Sequence, residues 1–284
     1  MEGGWWSQDL LVDIVRRALA EDVGRGDLTS NLLIPSQQRS GGRIVAKEEG
    51  ILAGLPVAEE VFRQVDATVV WEPQGEDGQP LRPGQVVARV EGLTRALLTA
   101  ERVALNFLQR LSGIATLTAA YVEAIRGTSA CIVDTRKTTP GLRMLEKYAV
   151  RVGGGRNHRF GLDDGILIKD NHIAAVGSIR EALRRAKEGA PHSVRIEVEV
   201  ETLEQLEEAL EAGADAVLLD NMPVDMLQEA VRRTAGRARL EASGGITLES
   251  VRAVAETGVD WISIGALTHS APALDFSLEL EREG

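Results

Sequence analysis

Residues 195–220 read RIEVEVETLEQLEEALEAGADAVLLD. In the first part Glu197 and Glu199 alternate with Ile196, Val198 and Val200, the two-residue period of a strand. Thr202-Leu203-Glu204-Gln205 then matches a capping box, in which paired side chains satisfy the unbonded N–H groups at a helix start. A wholly apolar run, Ala216-Val217-Leu218-Leu219, follows and stops at Asp220. Strand, helix and strand in such close order imply a parallel sheet.

Working outward, the same alternation fills the second half of the chain. Short apolar runs lie at Cys131–Val133, Ile166–Ile168, Val194–Val200, Ala216–Leu219, Ala238–Ala242 and Trp261–Ile264. Ser178-Ile179-Arg180-Glu181 forms a second capping box, and Pro223 sits where a proline opens a helix. These six strands either close into a barrel or stay open and doubly wound. Nearly every one ends in a polar residue or glycine: Asp134, Lys169, Glu199, Asp220, Ser243-Gly244 and Gly265. Such a rim favours the barrel, whose chemistry collects at the C-terminal strand ends, over an open sheet with one switch point.

The first part of the chain reads as a mixture of helices and strands. Leu10, Leu11, Ile14, Val15, Ala18 and Leu19 recur at helical spacing. Strands are expected at Arg43–Lys47, Ala67–Trp71 and Gln85–Val90, with a helix at Pro56–Val65. From Thr94 to Ile125 the pattern is helical, and Gly113 is expected to divide it in two.

Composition narrows the function classes. The chain has 284 residues, a net charge of −11 and 4% aromatics, which disfavours a stacking surface for single-stranded nucleic acid. Cys131 is the single cysteine, so no internal disulfide forms and a reduced, cytoplasmic setting is expected. It reads as a small core residue. Met1–Trp6 lacks the charged and apolar regions of a signal peptide, and no apolar run reaches membrane-spanning length. Four histidines and no cysteine pair argue against zinc.

Against that acidic background, Arg136–Arg159 carries seven Lys or Arg and one acid, a local charge of +6. Like charges held close need an anionic partner, and a small, multiply charged substrate fits an acidic protein better than a polyanion. Lys169 has an apolar flank that should bury its stem, and arginine suits two-pronged binding of a carboxylate. Glu199 and Asp220, at the ends of neighbouring strands, form a pair able to hold Mg²⁺ beside substrate phosphates. The alternative makes Glu197 an ion-pair partner of Arg195 or Lys169, and Asp220 a helix cap. Ser243-Gly244-Gly245-Ile246 and Gly265-Ala266-Leu267-Thr268 follow the last two strands, where backbone N–H groups can approach a phosphate closely. A helix beginning near Thr247 would add its dipole. Asp170-Asn171-His172 reads as a loop clasp. Gly153-Gly154-Gly155 does not follow a strand in dinucleotide-binding form.

The strings Asp134-Thr135-Arg136-Lys137-Thr138-Thr139-Pro140-Gly141-Leu142-Arg143, Gly154-Gly155-Arg156-Asn157-His158-Arg159, Ile168-Lys169-Asp170-Asn171-His172, Glu197-Val198-Glu199-Val200, Leu219-Asp220-Asn221 and Glu241-Ala242-Ser243-Gly244-Gly245-Ile246 resemble the quinolinate phosphoribosyltransferases. So do Glu21–Ser30 and Glu101–Asn106, so the likeness spans almost the whole chain. It implies an N-terminal α/β sandwich domain over residues 1–114 and an incomplete β/α barrel over 115–270. A C-terminal segment, 271–284, would return to the first domain. It implies transfer of phosphoribose from phosphoribosyl pyrophosphate (PRPP) to quinolinate with loss of CO₂, using Mg²⁺, in NAD biosynthesis. It also implies a homodimer or larger homo-oligomer with shared active sites, binding neither nucleic acid nor membrane. Carried onto this chain, Arg136, His158, Arg159 and Lys169 would hold quinolinate, with Arg102 reaching in from the partner subunit. Lys137 would face PRPP and its pyrophosphate, and Lys169 would also border the donor. Glu199 and Asp220 would serve the ribose and Mg²⁺, directly or through water. Ser243, Gly244, Gly265 and Ala266 would cradle the 5′-phosphate.

Overall fold

A computed structural model describes residues 7–281. Met1–Trp6, read above for a leader, and residues 282–284 of the expected C-terminal segment lie outside the described residues. In chain order the elements are α1 (Gln8–Val23), α2 (Leu28–Leu33), β1 (Arg39–Ala46), β2 (Gly50–Ile51), α3 (Leu55–Val65), β3 (Val70–Pro73), β4 (Pro80–Leu81), β5 (Val86–Leu93) and α4 (Thr94–Ala124). There follow β6 (Cys131–Val133), α5 (Arg143–Val152), β7 (Ile166–Ile168), α6 (Asp170–Val176), α7 (Ile179–Gly189), β8 (Ile196–Val200), α8 (Leu203–Glu211) and β9 (Ala216–Asp220). The last are α9 (Val224–Thr234), β10 (Arg239–Ser243), α10 (Val251–Ala255), β11 (Trp261–Ser263), α11 (Ala266–His269) and β12 (Phe276–Leu280). No helix among the described residues is long and apolar enough to cross a membrane.

The chain divides into two units. One runs through Ala119, takes in Thr139–Gly154 and ends with the segment from Ser270; the other comprises Ala120–Thr138 and Gly155–His269. The first holds an antiparallel sheet in the order β12-β1-β5-β3, so the last strand pairs with the first. Phe276–Leu280 lies beside Gly42–Ala46 in antiparallel register. Helix α3 carries the apolar side chains Val57, Ala58, Val61 and Phe62 into this core, all 1% exposed or less. Burying each of the larger ones contributes about 1.5–3 kcal/mol. The Phe62 and Trp71 rings meet at 5.7 Å and 37°, and Asp77 caps α3 by accepting from the Gly54 and Leu55 N–H groups.

Two expectations change here. Helix α4 is continuous over 31 residues, and Gly113 does not break it. A Cβ at Gly113 would lie 1.9 Å from the Pro272 carbonyl oxygen, so the glycine admits a crossing backbone. The strands β1, β3 and β5 also run a few residues off the expected spans.

The second unit holds the six parallel strands in the order β6-β11-β10-β9-β8-β7. Helix α7 packs against α8, and α8 against α9. Ser178 accepts from the Glu181 N–H, and Thr202 and Gln205 make the full reciprocal cap. Glu181 instead pairs with Arg184 and Arg185. Pro223 precedes α9 as its cap residue.

The sheet curls strongly. The Arg195 guanidinium, just before β8, sits 4.9 Å from the Trp261 ring centroid at the start of β11, although β9 and β10 separate those strands. Contact across one face requires a barrel-like bend. The ring is incomplete: β6 and β7 are the two ends of the sheet order. Arg156 partly covers the β6 edge, donating to the Ile132 carbonyl at 2.9 Å and accepting from the Asp134 N–H at 3.1 Å.

Candidate active site

Parallel register sets which side chains share the inner face. Glu199 pairs with Leu218, and Asp220 with Ser243. Glu199, Leu218 and Asp220 therefore lie on one face, with Asp220 one two-residue step further toward the C-terminal rim. Lys169 follows β7 and donates from Nζ to Glu199 Oε2 at 2.6 Å. The alternative partner for Lys169, Glu197, is not the one chosen. Asp220 is half-buried and accepts from Asn221 Nδ2 at 2.8 Å, and the Asn221 N–H reaches the Ser243 carbonyl at 2.8 Å.

The glycine turn beyond Ser243 has two successive left-handed residues, Gly244 at φ 100° and Gly245 at φ 60°. A Cβ at Gly244 would collide with the Asn221 side chain and lie 2.9 Å from its backbone nitrogen. Successive N–H groups in such a turn form an anion-binding concavity. The expected helix dipole at Thr247 is absent: α10 begins at Val251 and has five residues, and Ser250 Oγ accepts the Thr247 N–H instead. Just beyond the next strand, β11, Gly265 lies close to Lys137, whose Cδ would be 3.1 Å from an added Cβ. Ala266 opens the short helix α11 beside it. Thr268 Oγ1 holds the Lys137 carbonyl at 2.8 Å, so the exposed Lys137 rides on a tethered backbone.

The basic run is not one cluster. Its middle part forms α5 in the first unit, where Lys147 is 2% exposed and Glu146 binds Arg110. Arg136, Lys137, Arg156 and Arg159 belong to the barrel unit. Arg159 is half-buried, and burial and then Arg136 beside it depress its pKa, against the opposing pull of Asp164 and Glu197. Its Nη1 donates to the Gly165 carbonyl at 2.9 Å. Arg102 projects exposed from α4, in the other unit.

Beneath the rim lies a buried group that the charge pattern did not disclose. His158 Nε2 is 3.0 Å from Glu197 Oε2 and 3.4 Å from Glu241 Oε2. Burial foremost, then the Glu197 charge, raise the Glu241 pKa to about 8. Asp134, fully buried, accepts from Asn157 Nδ2 at 2.6 Å and the His158 N–H at 2.8 Å. Position alone offered a signal for Glu241, two residues before Ser243 and so on the same strand face. His172 forms the expected clasp, its Nδ1 accepting the Lys169 N–H at 2.9 Å. Cys131 is half-buried rather than core. A cavity of about 490 Å³ runs from the strand starts at Ile166, Arg195 and Trp261 up to His158, Glu197 and Glu241.

Comparison with known proteins agrees with this architecture. Residues 27–112 match the N-terminal domain and residues 114–279 the C-terminal domain of quinolinate phosphoribosyl transferase. The chain is 52% identical to “Probable nicotinate-nucleotide pyrophosphorylase (carboxylating)” of Bacillus subtilis (strain 168), covering 95% of this chain and 93% of the relative. It is 49% identical to the nicotinate-nucleotide pyrophosphorylase (carboxylating) of Mycobacterium leprae (strain TN), covering 96% and 98%. The crystal structure of NadC from Streptococcus pyogenes superposes with a TM-score of 0.94 at 47% identity, over 98% of this chain and 99% of that one. With matches over nearly its whole length and both domains present, the chain belongs to the quinolinate phosphoribosyltransferase family.

Proposed function

We propose that this enzyme transfers phosphoribose from PRPP to the ring nitrogen of quinolinate, with loss of the 2-carboxylate, yielding nicotinate mononucleotide, pyrophosphate and CO₂ for NAD biosynthesis. Family membership supports the reaction, and one local observation supports the substrate. Arg159, half-buried, has its pKa lowered by burial and by Arg136. Two guanidinium groups brought together against their repulsion suit a ligand with more than one negative charge. Arg136, Arg159 and Lys169 hold the two carboxylates, His158 belongs to the same wall, and Arg102 of a second subunit completes it in a homo-oligomer.

Lys137 neutralises the leaving pyrophosphate. Ser243, Gly244, Gly265 and Ala266 receive the 5′-phosphate on backbone N–H groups. Glu199 and Asp220 supply hard oxygen donors on one face of adjoining strands, a set that fits Mg²⁺ binding directly or through water. Bound there, the ion would screen the phosphate charges. The ring nitrogen forms a bond to C1′ as the C1′–O bond breaks, and pyrophosphate leaves with the electron pair. Glu199 and Asp220 stabilise the positive charge that develops on the ribose. The alkylated ring then accepts the electrons of the C2–carboxylate bond, CO₂ departs, and C2 takes a proton.

The test is incubation with PRPP and either quinolinate or nicotinate. Turnover with quinolinate and release of CO₂ are expected; turnover with nicotinate alone would contradict the reading.

A further inference from the structure

His158 is bonded on every side that can bond. Its backbone N–H goes to Asp134 at 2.8 Å. Its Nδ1 accepts the Arg159 N–H at 2.7 Å, so Nδ1 carries no hydrogen and Nε2 carries the ring hydrogen. That hydrogen points to Glu197 Oε2 at 3.0 Å, with Glu241 Oε2 at 3.4 Å. Glu197 and Glu241 are 6% and 2% exposed. The three ligand atoms lie within 4.8 Å of one another, close enough for a metal ion. The Nε2 hydrogen links two of them directly, and burial beside the Glu197 charge raises the Glu241 pKa.

The imidazole thus has both ring nitrogens engaged within the protein. What it does hold is the backbone of Arg159, whose guanidinium is fixed at its other end by the Gly165 carbonyl. We propose that Glu197 and Glu241 are positioning residues for the carboxylate grip: they lock His158 through Nε2, and His158 anchors the main chain of Arg159, so that the guanidinium is set before substrate arrives. This rests on the reading that Arg159 binds a carboxylate of the substrate. A preset donor spares the ordering cost of binding, so losing the lock should weaken substrate binding more than the chemical step.

The experiment compares steady-state kinetics of the intact enzyme with those of Glu197→Met, Glu197→Gln and Arg159→Ala. Methionine keeps the volume and removes both acceptor oxygens; glutamine keeps an amide oxygen for the Nε2 hydrogen. Glu197→Met should raise KM for quinolinate about tenfold, with kcat changed less than about threefold and KM for PRPP unmoved. Glu197→Gln should recover most of that loss. An unchanged quinolinate KM in Glu197→Met, beside a raised one in Arg159→Ala, overturns the inference and leaves the site reading intact. An unchanged KM in Arg159→Ala removes the site reading itself, and the inference with it. Hydrogen–nitrogen correlation spectra of isotope-labelled histidine give a second readout on wild-type protein, independent of whether the variants fold. His158, assigned by its loss in His158→Asn, should show the Nε2–H tautomer; the Nδ1–H tautomer or an imidazolium at neutral pH would overturn the proposal.

Discussion

Lys169 spends one of its donors on Glu199, and an ammonium has three, so the same residue can brace an acid and meet a ligand. Lys137 and Asp220 sit at the rim, exposed and half-buried respectively, where their removal leaves the core intact. Lys137→Ala and Asp220→Asn should each lower kcat by about 10²–10³ with unfolding midpoints near wild type; wild-type rates in either would contradict the assigned roles. Glu241 gives a different signature. Its folded pKa of about 8 lies above the ordinary 4.5, so folding takes up a proton between those values. The stability this group contributes is full below pH 4.5 and lost as the pH rises through about 8. Glu197, His158, Asp134 and the Ser263 hydroxyl face it. Thermal unfolding from about pH 6 to about pH 9 should therefore fall more steeply in wild type than in Glu241→Gln, and parallel curves would refute the buried proton. Arg136, Lys169, Glu199 and Asp220 were legible as candidates because strand ends in this pattern point to a rim. The Glu241–Glu197–His158 group was not, because a mid-strand acid gains meaning only when a distant loop brings the imidazole to it.

At the level of elements, the barrel strands stood out because each is a short apolar run followed by turn or capping residues, and those signals are local. The capping residues Ser178 and Thr202 act where the sequence places them. Gly113 misled for an equally physical reason. Glycine costs a helix interior about 1 kcal/mol against alanine, which reads as a break, yet the apolar faces of α4 outweigh it. The residue serves a close crossing by the segment at Pro272. Gly113→Ala should consequently destabilise the protein by about 1–3 kcal/mol or more, despite the better helix propensity of alanine. Denaturant unfolding checks this, and an unchanged or higher midpoint would refute the steric role. The helix expected at Thr247 failed because Ser250 takes the Thr247 N–H into a turn and delays α10 to Val251.

For the whole molecule, the contrast between a net charge of −11 and a basic stretch of +6 pointed toward a small anionic substrate. The fold splits that stretch, giving α5 to one unit and Arg136, Lys137, Arg156 and Arg159 to the barrel unit. Four of the seven cations thus belong to the barrel unit itself. If Arg102 serves the barrel of a second subunit, Arg102→Ala chains mixed with Lys169→Ala chains should recover partial turnover; verified mixed oligomers with none would count against sharing. The central claim concerns a dianionic pyridine that loses one carboxylate as its nitrogen is alkylated. The most direct measurement supplies quinolinate labelled in its 2-carboxylate together with PRPP and Mg²⁺, and follows labelled CO₂ and nicotinate mononucleotide together. The account predicts one CO₂ released for each mononucleotide formed. Mononucleotide that retains the label, or turnover with nicotinate and none with quinolinate, would contradict it.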